Sequence, residues 1–180
     1  MHYLSKFIYH KLLGWKITGF KDFDSVKKAV LIAAPHTSWH DFYIGVLLRS
    51  VIKAQSNFIA KASLFHPLTG WFFKALGGMP VHRRANENQV SAIARLFENR
   101  KVFRMAIAPE GTRKKVEKWR TGFYYIAKTA NVPIVMITFD FKNKTNRFSK
   151  PFYPTDNVEA DFAFMRNFYK GVFGKIPEFS

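Results

Sequence analysis

Two histidines and an aspartate fall within residues 36–41, in the run His-Thr-Ser-Trp-His-Asp. Three chemistries are open to that spacing. His36 and Asp41 suit a general base with its partner. A carboxylate on one ring nitrogen fixes the tautomer and stabilises the imidazolium, leaving the other nitrogen free to take a proton from a hydroxyl. His36 and His40, four apart, have the spacing of two metal ligands on one helical face. No third ligand is evident, however, and the glutamate of the zinc-protease pattern is missing. Ser38 and Asp41, three apart, form the pattern of a capping box at a helix start. On this run alone the three readings stand together, with His40 a neighbour facing elsewhere if His36 is the base.

A second run, Ala-Pro-Glu-Gly-Thr-Arg-Lys-Lys at 108–115, follows an apolar stretch. Pro109 and Gly111 are turn formers. Arg113, with Lys114 and Lys115 beyond it, has the geometry to hold a phosphate by two parallel hydrogen bonds. A solvated basic loop is the plainer alternative. A third run, Gly-Gly-Met-Pro-Val-His-Arg-Arg at 77–84, offers glycines for close backbone approach and Arg83 or Arg84 as a further phosphate contact.

The elements that must position these residues follow from hydrophobic patterning. The apolar run at 29–34 reads as a buried strand, the largely apolar runs at 102–108 and 132–139 read as strands, and shorter strands are expected over 57–61 and following the turn at 77. Residues 41–52 read as a helix, and 63–76 as a helix or broken helix. Val90, Ile93, Ala94 and Phe97 mark the inner face of another, 119–130 a fourth and 157–170 a last one. The basic stretch 141–154 reads as a hairpin. Strands alternating with helices at this spacing argue for one α/β domain, with a mixed, mostly parallel sheet flanked by helices on both faces. At the N-terminus, Leu4, Phe7, Ile8, Leu12 and Trp15 recur at helical spacing with Lys6 and Lys11 off that face. Residues 1–20 are therefore expected to be an amphipathic, membrane-facing helix and 21–180 the catalytic domain.

Composition narrows the class. The chain has 180 residues and no cysteine, which excludes disulfides and thiolate metal sites. A net charge of +17 predicts an acidic partner: a lipid surface, a phosphorylated substrate, an acidic protein or nucleic acid. No zinc-finger spacing, aromatic RNA-binding block or helix-turn-helix is evident, so specific nucleic-acid binding is not expected. No apolar stretch reaches the length of a membrane span, and the N-terminus does not read as a secretory signal.

Taken together, His-x-Ser-x-x-Asp at 36–41, Gly-x-x-Pro-Val-x-Arg at 77–83, Pro-Glu-Gly-Thr-Arg at 109–113 and Val-Pro-Ile at 132–134 resemble, in order and separation, the four sequence blocks of the glycerolipid acyltransferases. These include the lysophosphatidic acid acyltransferases. The resemblance implies the fold of that family and an acyl transfer from a thioester, borne by acyl carrier protein or coenzyme A, to the free hydroxyl of a lysolipid. It makes His36 the base and Asp41 its partner. Arg113 and Arg83 become phosphate-binding residues, with Lys61 a further basic position. Glu110, Gly111 and Thr112 shape the substrate loop, and Pro133 serves the acyl-donor side or strand geometry. It implies no metal and no cofactor beyond the thioester co-substrate, and a cytoplasmic, peripheral place on the inner face of an anionic membrane. The most frequent acceptor is 1-acyl-glycerol-3-phosphate. Pro35 stands where many relatives have Asn, and Thr37 where Gln or Arg is frequent, so another lysophospholipid or a lyso-amino-acid lipid is the alternative acceptor. A basic protein that only binds lipid or nucleic acid is the non-enzymatic alternative.

Overall fold

The computed structural model of the chain describes residues 2–60, 65–80 and 88–180. Lys61 and Arg83 lie outside them. Among the described residues seven strands form one sheet: β1 (Lys16–Gly19), β2 (Lys28–Ala34), β3 (Asn57–Ala60), β4 (Gly78–Pro80), β5 (Phe103–Ile107), β6 (Ile134–Thr138) and β7 (Thr145–Phe148). Their order is β1-β7-β6-β2-β5-β3-β4. The five strands from β6 to β4 are parallel; β7 runs antiparallel to β6, and β1 parallel to β7. The sheet is thus mixed and mostly parallel, as expected.

The helices are α1 (His2–Phe7), α2 (His40–Val51), α3 (Gly70–Ala75), α4 (Gln89–Glu98), α5 (Gly122–Thr129) and α6 (Val158–Phe168). They cover both faces, and the alternation of side chains along each strand explains why the central strands are mostly apolar. Val30 and Ile32 of β2 and Ile134 and Met136 of β6 pack with Ile93, Phe97, Phe123 and Met165 from α4, α5 and α6. The intervening Ala29, Leu31, Val135 and Ile137 pack on the other face with Ile44 and Leu48 of α2. Full burial of one such side chain contributes about 1.5–3 kcal/mol, so both layers are needed to hold β2 and β6 central.

Two expectations are corrected. Residues 1–20 are not one helix. After α1 a single π-helical stretch, Ile8–Leu12, ends the helical part, and Lys16–Gly19 joins the sheet as β1. Tyr9, outside the expected apolar stripe, is the anchor: its ring is buried, and its hydroxyl donates to Asn146 Oδ1 at 2.5 Å. Leu4, Phe7 and Leu12 of the stripe are exposed, whereas Trp15 is buried. Nor is 141–154 a hairpin in itself. Its strand, β7, turns back on β6, with Asp140 bridging to Thr145 and Ile137 to Phe148. The polar residues of β7 hid this, because Asn146 is buried to donate to the Thr138 carbonyl at 2.6 Å.

Candidate active site

The central parallel strands end at one edge of the sheet, where α/β folds of this kind gather ligands. Strand β2 ends at Ala34, followed by a cis Ala34–Pro35 peptide and then His36. Helix α2 begins four residues after His36. Its first turn carries Asp41, which folds its carboxylate back over the loop. His36 Nδ1 lies 2.9 Å from Asp41 Oδ2. The same oxygen accepts from the backbone N–H of Thr37 at 2.9 Å and of Ser38 at 3.1 Å. A carboxylate offers only acceptors, so His36 Nδ1 is the donor and Nε2 carries the lone pair. The imidazole is 27% exposed against 5% for Asp41, so the ring is partly open to solvent while its partner is shielded.

The capping box is half made. Asp41 takes the Ser38 N–H, but the Ser38 hydroxyl does not return to the Asp41 N–H. It lies 2.8 Å from His40 Nδ1 instead. The His40 ring also stacks on Trp39 at 4.3 Å. His36 and His40 therefore face different partners. Among the described residues no group of three or more His, Asp or Glu side chains gathers where it could hold a metal ion.

The 108–115 loop meets this turn directly. The Gly111 N–H donates to the Ala108 carbonyl at 3.1 Å, closing a tight turn in which Gly111 has φ +66°. Glu110 reaches across, and its Oε1 accepts from the His36 backbone N–H at 3.3 Å. Burial pushes the Glu110 carboxyl above the usual carboxylate range. The His36 N–H and the imidazole work against that shift, while the charge on Asp41 adds to it. Glu110 Oε2 and Asp41 Oδ1 are both buried without a hydrogen-bond partner among the described residues.

His36, Asp41, Gly111, Thr112 and Arg113 open onto one cavity of about 650 Å³. That volume falls within the range of ligand pockets, roughly 300–1,000 Å³. Beyond its polar mouth the walls are largely apolar, built from Leu31, Gly45, Leu48, Ile137 and Phe139. The structure thus brings together His36, Asp41, Glu110, Gly111, Thr112 and Arg113. It does not bring Pro133 to them. Pro133 sits buried just before β6 and accepts from the Val30 N–H at 2.9 Å, toward the opposite end of the strands from His36. Its position suits strand geometry.

Two features escaped the sequence reading. Arg120 lies over Gly111, where a Cβ would stand 2.5 Å from its Nε, so a further cation flanks the Arg113 loop. The only signal was its place in a basic run. The Tyr169 hydroxyl donates to the Ile32 carbonyl at 2.7 Å and accepts from the Ile137 N–H at 3.2 Å, tying the chain after α6 to the strands that end at the site. Burial holds that phenol well above its ordinary value.

An α/β sheet with a histidine–carboxylate pair beside a cationic turn defines a class that comparison makes specific. Residues 16–140 match the family model described as Acyltransferase, and the chain belongs to that family. A chloroplastic 1-acyl-sn-glycerol-3-phosphate acyltransferase from Brassica napus, BAT2, is 30% identical over 127 residues, covering 68% of this chain and 36% of that protein. The chloroplastic LPAT1 of Arabidopsis thaliana is 28% identical over 127 residues, covering 68% of this chain and 35% of that protein. The chain therefore spans about a third of the length of these relatives. The crystal structure of PlsC, a 1-acyl-sn-glycerophosphate acyltransferase from Thermotoga maritima, shares the fold. It superposes with a TM-score of 0.62 at 17% identity, covering 93% of this chain and 74% of that one.

Proposed function

We propose that this protein transfers a fatty acyl group from a thioester to the free hydroxyl of a lysolipid, with 1-acyl-glycerol-3-phosphate as the acceptor. The observation that carries the reading is the 2.9 Å contact between His36 Nδ1 and Asp41 Oδ2 at the mouth of an apolar cavity shared with Arg113. His36 Nε2 takes the proton as the acceptor oxygen attacks the thioester carbonyl. The new C–O bond forms, the C–S bond breaks, and the imidazolium returns the proton to the leaving thiolate. Asp41 stabilises that imidazolium, and general-base help of this kind is worth about 10²–10⁴ in rate.

Arg113 holds the acceptor phosphate from the open side of the cavity, with Arg83 and Lys61 as further phosphate ligands. The apolar walls take an acyl chain. The names of the plant relatives support the acceptor. Either acyl carrier protein or coenzyme A suits a chain of net charge +17 as donor.

The same charge suits an anionic bilayer. No helix among the described residues is long and apolar enough to cross a membrane. Tyr3, Leu4, Phe7 and Leu12 are nevertheless exposed on the N-terminal helical segment, beside Lys6 and Lys11. Basic residues near such a surface contribute about 1 kcal/mol each, which favours peripheral attachment to the inner leaflet.

The test is acyl transfer by the purified protein in mixed micelles. Acyl carrier protein and coenzyme A thioesters are supplied in turn, with lysophosphatidic acid, other lysophospholipids and a lyso-amino-acid lipid as acceptors. Fastest turnover on lysophosphatidic acid supports the reading. A preference for the amino-acid lipid moves the acceptor assignment, and no thioester consumption with any pair overturns it.

A further inference from the structure

We propose that Thr37 is a positioning residue, pinned by the backbone of Ile176, that holds the turn between His36 and Asp41 in its reactive shape; this rests on the reading of His36 as the base.

Thr37 stands between the two residues of the pair and is 2% exposed. Its N–H donates to Asp41 Oδ2, the oxygen that faces the imidazole, so the orientation of this peptide, with that of Ser38, aims Asp41 at His36. Its hydroxyl has a different partner. Oγ1 accepts from the Ile176 N–H at 3.1 Å, a contact spanning 139 residues. The segment that provides this donor is itself held. The Phe141 N–H donates to the Phe173 carbonyl at 2.8 Å, and the Gly174 N–H donates to Ser180 Oγ at 2.8 Å. Gly174 is pressed against Thr37 so closely that a Cβ would stand 2.5 Å from Oγ1 and 2.6 Å from Cγ2.

Little apolar burial accounts for this path. Phe173, Lys175 and residues 177–180 are exposed, and within 173–180 only Gly174, at the Thr37 contact, is buried. The one buried residue of this stretch is thus the one packed on the turn that carries His36 and Asp41. A misplacement of about 1 Å in such a turn is enough to cost on the order of a hundredfold in rate.

The contact can be broken from either side. Thr37→Val keeps the shape and removes the acceptor; Ile176→Pro removes the donor. Each is expected to lower kcat by about tenfold to a hundredfold with the acceptor KM within about twofold. Thr37→Ser, which restores the hydroxyl, is expected to return most of the rate. The double variant should be no slower than the slower single, because both changes remove one contact. The ring signals of His36, followed by NMR with labelled histidine, should move in Thr37→Val and not in Thr37→Ser. Wild-type kcat in Thr37→Val and Ile176→Pro, or fully additive losses, would overturn the proposal. So would two variants that no longer melt cooperatively, since the contact would then serve the fold as a whole. His36→Ala in the same assay separates the readings. Turnover that needs His36 yet ignores Thr37→Val rejects the positioning role alone, whereas turnover that survives His36→Ala rejects the base.

Discussion

Glu110 Oε1 accepts the backbone N–H of His36 at 3.3 Å, joining two loops that lie 74 residues apart in the chain. The contact sets the height of His36 above the sheet edge, and it buries a carboxyl that water would otherwise solvate. Burial raises the pKa of Glu110, and the sign of the consequence follows from that direction. A carboxyl whose folded pKa exceeds its unfolded one favours the fold while protonated. The contribution is full below the unfolded glutamate value and is lost as pH rises through the raised folded value. Glu110→Gln keeps the acceptor and never ionises. Its melting temperature relative to the parent should therefore climb as pH rises from about 4, and level off once Glu110 has ionised. A difference that does not change with pH would contradict this assignment.

Asp41→Asn keeps an oxygen for the Thr37 and Ser38 N–H groups while removing the charge opposite the imidazole. The turn should survive and the chemistry should not. We expect kcat to fall by about 10²–10⁴, with a melting temperature far less affected. Equal loss of stability and activity would mean that Asp41 serves only as the helix cap.

Most of the sheet, and several of the residues that gather at its edge, could be read from residue types. Predominantly apolar runs marked β2, β5 and β6 to within a residue or two, because strands covered on both faces carry mostly apolar side chains; the buried Arg104 and Thr138 are the exceptions. The helix after His36 was expected from 41 and starts at His40. What stayed hidden lacked that signature. Strand β1 is only four residues long and mostly exposed, so Lys-Ile-Thr-Gly shows no periodicity of burial. Strand β7 carries Asn and Arg, whose place is decided by hydrogen bonds to Thr138 and not by hydrophobicity. The apparent stripe of α1 failed because Tyr9 anchors that segment through a hydroxyl. At the site, the spacing of His36 and Asp41 was visible, but the Glu110 bridge, Arg120 and the Thr37 contact with Ile176 are tertiary facts with no local pattern.

Arg113 lines the cavity from an exposed loop, so its removal should spare the fold. Charge-assisted hydrogen bonds contribute about 1.5–3 kcal/mol, which corresponds to roughly tenfold or more in affinity. Arg113→Ala should raise KM for a phosphorylated acceptor by at least that factor, and raise it less for an acceptor without a phosphate. An equal change for both would place the acceptor phosphate elsewhere.

The acyl chain should respond to the width of the cavity at Gly45. A Cβ there would meet Phe139 Cζ at 3.7 Å, an ordinary contact, so a larger side chain projects into open volume without moving α2. Gly45→Leu should lower kcat/KM for long-chain thioesters relative to short ones by about tenfold or more. An unchanged chain-length profile, in a variant that melts like the parent, would remove the acyl chain from this cavity.

The most direct measurement is thioester consumption by His36→Ala beside the parent, with lysophosphatidic acid as acceptor and folding checked by a cooperative melt. The account predicts a fall in kcat of about 10²–10⁴ with the acceptor KM little changed. Turnover at the parental rate would contradict it, because no other imidazole shares the Asp41 carboxylate among the described residues.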